Sequence, residues 1–125
     1  MTENQIATII LDCAFNIHRT LGPGLFESVY EEVISYELMK RKLEIGRQVE
    51  IPVMYELIKM EVGFRADIIV EKKVIIELKS VETLLPVHKK QLLTYLKLTD
   101  MKLGLLINFN EALLKNGIVR IANSL

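Results

Sequence analysis

The chain has 125 residues, half of them hydrophobic, and its 16 Lys and Arg balance 16 Asp and Glu, so the formal charge is zero. A chain of this length removes roughly two-thirds of its unfolded surface from water, which supports one domain with a real core and excludes a second. The single Cys13 excludes an internal disulfide, no apolar run approaches the roughly 20 residues that cross a bilayer, and the start Met-Thr-Glu-Asn-Gln lacks a secretory signal. We therefore expect one globular domain over residues 1–125, in the cytoplasm and with no membrane role.

The charge is unevenly distributed along the chain. Residues 1–62 carry six Lys and Arg against ten Asp and Glu, a net of −4, whereas residues 63–125 carry ten against six, a net of +4. The lysines of the second half could attract phosphate. A pI near 6.7 argues against tight unspecific binding to a duplex, however, and a solvated lysine surface is the simpler interpretation.

Two helices are predicted at the start of the chain. Apolar residues recur at spacings of three and four over residues 6–21, the pair Thr2 and Gln5 fits a capping box, and Gly22-Pro23-Gly24 ends this first helix. A second helix is predicted from about Phe26 to Leu43, with Gly46 ending it.

The apolar period then changes to two, which predicts strands. The first strand carries Val49, Ile51 and Val53, the second runs from about Leu57 to Val70 with a break near Gly63, and the third runs from Val74 to Lys79. A helix with Pro86 in its first turn follows, then a buried strand over Leu103 to Phe109, and a final strand over Ile118 to Ala122.

This order of elements predicts an α/β (α+β mixed) fold. The strand, helix, strand unit over residues 74–109 implies a parallel right-handed crossover, and the second and third strands imply an antiparallel hairpin. We therefore expect a single domain with a central mixed sheet of four to five strands, flanked by α-helices.

The predicted hairpin brings two carboxylates together. With the three-residue loop Glu71-Lys72-Lys73, Asp67 lies opposite Glu77, and Arg65 and Lys79 share their face of the sheet. A two-residue loop would separate the two carboxylates. The opposite face is predicted to be apolar, with Ala66, Ile68, Val70, Val74, Ile76 and Leu78. Two ionised carboxylates about 5 Å apart repel by about 3 kcal/mol at an effective dielectric of about 20, so a cation must lie close to them.

A divalent cation would satisfy this charge. Glu27, near the start of the second helix, could add a third carboxylate, and the set of Asp67, Glu77, Glu27 and Lys79 carries a net charge of −2. Oxygen donors alone suit Mg²⁺ or Mn²⁺ better than Zn²⁺. Such a site can hydrolyse phosphodiesters, with the ion polarising a phosphoryl oxygen and the ammonium group stabilising the growing charge. The alternative is a surface ion-pair cluster.

The same residues carry a resemblance to a known group of proteins. Asp67 followed by Glu77-Leu78-Lys79, with a helical Glu27 before them and a helical Gln91 after them, resembles the PD-(D/E)XK nuclease superfamily. The segment from Gly24 to Tyr30, Gly-Leu-Phe-Glu-Ser-Val-Tyr, is similar to the motif that names the GxxExxY family of that superfamily. The similarity extends over nearly the whole chain and implies a restriction-endonuclease-like core in the order α-β-β-β-α-β. Ala66 stands where the superfamily name has Pro.

The resemblance implies roles for the residues at matching positions. Asp67 and Glu77 would be metal ligands, with the Leu78 carbonyl as a third ligand. Lys79 would be the catalytic lysine. Glu27 would be an auxiliary acidic residue that acts on the metal directly or through water.

Four further residues are candidates for positioning the substrate. Gln91 and Tyr95, four residues apart on one helix face, match a pattern that in related nucleases lies beside the active site. Arg65 could contact the scissile phosphate or pair with one of the two carboxylates. Tyr30 could orient Glu27, or it could pack in the core with a satisfied hydroxyl.

The predicted function is a Mg²⁺- or Mn²⁺-dependent nuclease that acts on DNA or RNA. The alternatives are a catalytically silent nucleic-acid-binding module and a protein-interaction module with the same fold. Retention of Asp67, Glu77 and Lys79 favours the enzyme, because a module freed from catalysis could replace mutually repelling groups and gain stability. So small a domain leaves few residues for reading a sequence, and a homodimer is compatible with this prediction.

Overall fold

Helices and strands follow the predicted order in a computed structural model, which describes all 125 residues. The helices are α1 (Glu3–Leu21), α2 (Glu27–Lys40) and α3 (Pro86–Thr99). The strands are β1 (Ile45–Ile51), β2 (Met54–Tyr55), β3 (Ile58–Lys59), β4 (Phe64–Val70), β5 (Val74–Lys79), β6 (Leu103–Asn108) and β7 (Ile118–Ala122), and a short 3-10 helix, Leu114–Gly117, precedes β7. No helix combines the length and the apolar character needed to cross a membrane.

Five of the strands form one mixed sheet in the order β1-β4-β5-β6-β7. The pair β5 and β6 is parallel, since α3 connects them, and the other three pairs are antiparallel. This arrangement of three helices and a five-strand mixed sheet confirms the predicted fold class and is consistent with the restriction-endonuclease-like fold.

The sheet has a hydrophobic core on each face. On one face α1 and α2 bury the larger cluster, to which β4 and β5 contribute Ile68, Val70, Val74, Ile76 and Leu78. On the other face α3 covers a smaller cluster that contains Ile69, Ile75, Leu92, Tyr95, Leu96 and Leu106. Because the central strands are buried on both faces, they are almost continuously apolar. A polar side chain among them lowers the stability of the fold unless it is hydrogen-bonded.

The second helix ends earlier than the sequence predicts. It stops at Lys40 because Lys42 adopts a left-handed conformation, with φ 61°. The Lys42 N–H donates to the Met39 carbonyl (2.9 Å), and the Leu43 N–H donates to the Leu38 carbonyl (3.2 Å), which is the pattern of a Schellman motif. The predicted stop at Gly46 is therefore wrong, because a lysine occupies the position where glycine is the usual signal.

The predicted second strand is also two separate elements. Residues 57–70 contain β3 and β4, and β3 pairs with β2 in a small separate hairpin whose loop is Glu56 and Leu57. Both loop residues have positive φ, 49° and 67°, as a two-residue hairpin turn requires. The predicted break near Gly63 is confirmed. A Cβ at that position would lie 2.6 Å from the Ile51 carbonyl oxygen, so only glycine allows the two backbones to approach so closely.

The alternation of β4 reverses at Asp67. Ala66 belongs to the core under α3, whereas Ile68, two residues later, belongs to the core under α1 and α2. Pairing between β1 and β4 skips Gln48 and Asp67 and resumes at Val49 with Ala66, and Gln48 has a positive φ of 49°. The prediction that Ala66 shares a face with Ile68 is therefore wrong, because both strands change face at this point.

Candidate active site

Asp67 and Glu77 lie where β4 and β5 separate. The pairing observed between the two strands, from Val70 with Val74 to Ile68 with Ile76, has the register expected of a three-residue loop, but it stops there. Beyond it, side chains bridge the strands. The Leu78 N–H donates to Asp67 Oδ2 (2.8 Å), and the Asp67 N–H donates to Glu77 Oε1 (3.4 Å). The two predicted carboxylates are therefore neighbours at the end of the hairpin.

Glu77 is a buried carboxyl, with only 8% of its surface exposed. Burial raises the pKa of Glu77 to about 9, and the nearby negative charge of Asp67 adds to this effect. The positive charge of Lys79 lowers the pKa of Glu77, but this effect is the smallest of those that act on it. Without a further cation, the proton on Glu77 removes the repulsion that two ionised carboxylates would feel.

Lys79 ends β5 and is half-buried. It takes part in none of the salt bridges of the structure, so its ammonium group is not committed to a carboxylate. Asn108, the residue paired with Lys79 in β6, is completely buried. Its amide accepts from the Val81 N–H (3.1 Å) and donates to the Val81 carbonyl (2.9 Å), which fixes the segment after Lys79.

Glu27 reaches the same end of the sheet from α2. It is the first residue of that helix, and its Oε2 accepts from the Ser80 N–H (3.2 Å), directly after Lys79. The Ser80 hydroxyl donates to the Leu25 carbonyl (2.6 Å), so two hydrogen bonds connect the start of α2 with the end of β5. The structure therefore places Glu27 at the end of β5, where it lines one cavity together with Asp67.

Tyr30 holds the loop that leads into α2. Its hydroxyl donates to the Gly22 carbonyl (2.6 Å) and accepts from the Leu25 N–H (3.2 Å), and its ring stacks on Phe109 with the centroids 4.3 Å apart. The ring is completely buried. The hydroxyl therefore holds the backbone of the loop before Glu27 and does not bond to the Glu27 carboxylate. Of the two alternatives, the structure shows core packing with a satisfied hydroxyl, and Tyr30 cannot touch a substrate.

An open cavity of about 330 Å³ lies between α2 and the strands β1, β4 and β5. Its lining residues are Glu27, Ser28, Glu31, Gln48, Asp67 and Leu78. Gln48 donates to both Glu31 and Asp67, in the latter case at 3.4 Å, and Arg47 contacts Glu31 at 3.0 Å. Sequence reasoning did not assign Glu31 or Gln48 to the site. The spacing of four between Glu27 and Glu31 was an available signal, because residues four apart share a helix face.

The three remaining candidates do not line this cavity. Tyr95 is buried under the sheet beside Phe64, with ring centroids 5.2 Å apart, and burial together with the charges of Glu77 and Asp67 raises its pKa. Gln91, one turn earlier on α3, is exposed and forms no side-chain hydrogen bond. Arg65 is exposed and pairs across the strands with Glu50. It forms no salt bridge with either site carboxylate, in contrast to one of the predicted alternatives.

The donor set fits a hard divalent cation in its chemistry. The side chains are carboxylates, and the backbone carbonyl of Leu78 lies between Glu77 and Lys79. No three Asp, Glu, His or Cys side chains converge tightly enough to enclose an ion in this arrangement. Asp67 Oδ2 and Glu77 Oε1 instead accept hydrogen bonds from the backbone.

A family model described as the PD-(D/E)XK nuclease superfamily matches residues 4–121, almost the whole chain. The chain therefore belongs to the PD-(D/E)XK nuclease superfamily. Searches of curated proteins and of solved structures found no match.

Proposed function

We propose that the chain is a divalent-metal-dependent nuclease of the GxxExxY type that hydrolyses phosphodiester bonds in DNA or RNA. The observation that carries this proposal is the contact between Asp67 and Glu77, two neighbouring carboxyls at the end of a buried hairpin. A buried carboxyl beside a second one lowers the stability of the fold, so its presence favours a role in binding a cation. The motif from Gly24 to Tyr30 supports the family assignment, because it contains both Glu27 and the tyrosine that holds the loop before it.

Asp67, Glu77 and the Leu78 carbonyl would hold Mg²⁺ or Mn²⁺, with Glu27 contributing directly or through water. The chemistry that such an ion supplies is Lewis-acid polarisation of a phosphodiester. Lys79 would provide a positive charge for the phosphoryl oxygens as negative charge grows on them, and its ammonium group is free to do so because no carboxylate engages it. Asn108 would keep the segment after Lys79 in place during this step.

A second function, that of a protein-interaction module, is favoured by the β2–β3 hairpin. The exposed apolar side chains of the hairpin and of the segment after it are Met54, Tyr55, Leu57, Ile58 and Val62, which are between 55% and 96% exposed. An apolar surface of this kind is typical of contact sites between proteins. The hairpin lies at the same end of the sheet as Lys79. The chain leaves β1 at Ile51, forms the hairpin, and begins β4 at Phe64.

Metal binding and cleavage distinguish these functions. Mg²⁺ and Mn²⁺ would be titrated by calorimetry into the wild-type protein, Asp67→Asn and Asp12→Asn, with cleavage of single- and double-stranded DNA and RNA measured in parallel. Asp12 is a surface carboxylate paired with Arg41, so its variant should behave as the wild type. The nuclease requires cleavage by the wild type and loss of both metal binding and cleavage in Asp67→Asn.

Lys79→Met should keep the metal affinity and lose hydrolysis. Lys102→Met is the matched control, since Lys102 precedes the residue that pairs with the start of β5, at the opposite end of the sheet. Metal binding without cleavage of any substrate would favour the silent module. Equal turnover by Lys79→Met and the wild type would remove the lysine from the mechanism.

A further inference from the structure

Phe26 has no role in the folded core. Its surface is 81% exposed, and it forms no aromatic pair with another residue of the chain. It occupies the N-cap position of α2, where Ser, Thr, Asp and Asn are preferred, and it provides no side-chain hydrogen bond to the helix. The fold therefore gains neither packing nor capping from this side chain.

Phe26 lies on the rim of the candidate active site. It precedes Glu27, and both residues line one open cavity of about 380 Å³ together with Leu25, Ser28 and Ser80. Ser80 follows Lys79 and donates its N–H to Glu27. The Ser80 hydroxyl donates to the Leu25 carbonyl, so two hydrogen bonds hold this rim at the end of β5.

The chemistry of this rim selects the part of a nucleic acid that can lie on it. The Glu27 carboxylate repels a phosphate group, whereas an exposed phenyl ring offers a flat apolar surface on which a base can stack. Stacking on an aromatic side chain tolerates every base, since each has a π face. In an intact duplex those faces are already covered by neighbouring base pairs, so a base must be unpaired or displaced before it can stack on protein.

We propose that Phe26 is a base-stacking residue and that the preferred substrate has an unpaired base beside the phosphate to be cleaved, as in a single strand, an overhang or a flap. This inference rests on the proposed nuclease function and adds the class of substrate to it. Phe26 acts by contact with the base, and Lys79 acts on the phosphate next to the stacked base.

The test compares binding of single-stranded and fully paired oligonucleotides. Lys79→Met is the parent, so that the strands stay intact, and Phe26→Ala, Phe26→Trp and Tyr36→Ala are added to it. Tyr36 is the matched control because it is also an exposed aromatic on α2, 58% exposed, and lies ten residues further along the helix, about 15 Å away. Affinity is measured by fluorescence anisotropy, and stacking by quenching of 2-aminopurine placed along the strand.

Phe26→Ala should weaken binding of the single strand by about 5- to 150-fold and abolish the quenching, because stacking of one base contributes that much to affinity. Phe26→Trp should restore both, and Tyr36→Ala should match the parent. Binding of the paired duplex should be unchanged in all variants.

Equal binding of the single strand by Phe26→Ala and the parent would overturn the inference, and so would an equal loss in Tyr36→Ala. If the wild type still cleaves nucleic acid in that case, the nuclease function stands and only the stacking role fails. If the wild type neither binds nor cleaves any nucleic acid, both fail. Dissociation of a dimer in Phe26→Ala, with nucleic-acid binding intact, would assign the ring to a second copy of the chain and also overturn the inference.

Discussion

Asp67 Oδ2 accepts a hydrogen bond from the N–H of Leu78 at 2.8 Å, so a side chain connects β4 and β5 at the point where their backbone pairing ends. The contact turns the Asp67 carboxylate toward β5 and places it beside the residue whose carbonyl is a candidate metal ligand. The reversal of β4 at the same residue opens the cavity that α2 lines. The geometry of the candidate site therefore depends on an irregularity in the sheet.

The stability of the metal-free protein should decrease as the pH rises. The pKa of Glu77 is about 9 in the folded chain against an ordinary value of 4.5, so between these values the folded state holds a proton that the unfolded state has lost. The stabilising contribution is complete below pH 4.5 and is lost as the pH approaches 9. One proton corresponds to a slope of about −1.4 kcal/mol per pH unit.

Urea unfolding in EDTA at several pH values between 5 and 9 measures this slope. Glu77→Gln should flatten it, because the amide does not titrate. Glu82→Gln, at an exposed carboxyl three residues after β5, should keep the wild-type slope. Identical slopes in Glu77→Gln and the wild type would contradict the assignment of the buried proton to Glu77.

Tyr30→Phe should destabilise the protein by about 1–2 kcal/mol. The substitution keeps the ring on Phe109 and removes only the hydroxyl, which leaves the Gly22 carbonyl and the Leu25 N–H without their partner. The affinity for Mg²⁺ should also fall, since the loop before Glu27 is released. Thermal unfolding and calorimetry measure the two effects.

Tyr36→Phe is the control for this prediction, because Tyr36 is exposed and its hydroxyl forms no hydrogen bond within the chain. It should match the wild type in both measurements. A Tyr30→Phe protein with wild-type stability would show that the hydroxyl does not hold the loop.

Asn108→Ala should cost about 2 kcal/mol or more of unfolding free energy. The buried amide oxygen accepts from the N–H groups of Val81 and Asn110, and its removal leaves both donors without that partner, whereas the Val81 carbonyl still accepts from the Asn110 side chain (3.3 Å). Hydrogen exchange at residues 80–82 should become faster than in the wild type. Asn116→Ala, at an exposed asparagine, should leave stability and exchange unchanged, and slow exchange in Asn108→Ala would count against this role.

Leu57→Gly should stabilise the protein by about 1 kcal/mol. Leu57 is 96% exposed and has a φ of 67°, a conformation that costs about 1–2 kcal/mol for a residue with a side chain and that glycine adopts freely. Chemical denaturation measures the gain. Leu113→Gly is the control, since Leu113 is also exposed but has a φ of −110°, and it should give no gain. A loss of stability in Leu57→Gly would show that the Leu57 side chain packs in solution.

The sequence predicts most of this fold because its periodic patterns are long and regular. The stripe over α1, the capping box at Thr2 and the strand from Val74 to Lys79 match the structure. The register of the hairpin follows from the loop of three residues, so the proximity of Asp67 to Glu77 could also be predicted.

The features that the sequence did not predict depend on local backbone conformations without a glycine signal. Lys42 ends α2 in a left-handed conformation, Leu57 turns the small hairpin, and Gln48 accompanies the reversal of β4. Each of these conformations is unfavourable for its own residue and is imposed by tertiary contacts. Gln48 was missed as a lining residue for the same reason, because the reversal at Asp67 decides which strand side chains meet in the cavity, whereas Glu31 could have been predicted from its spacing of four from Glu27.

The contact between Tyr30 and the loop before α2 has a consequence for how proteins with this fold could diversify. A residue with no access to solvent sets the position of the acid, while its neighbours at positions 25, 26 and 28 remain on the rim. Evolution could therefore exchange the rim residues and alter what binds there without moving Glu27.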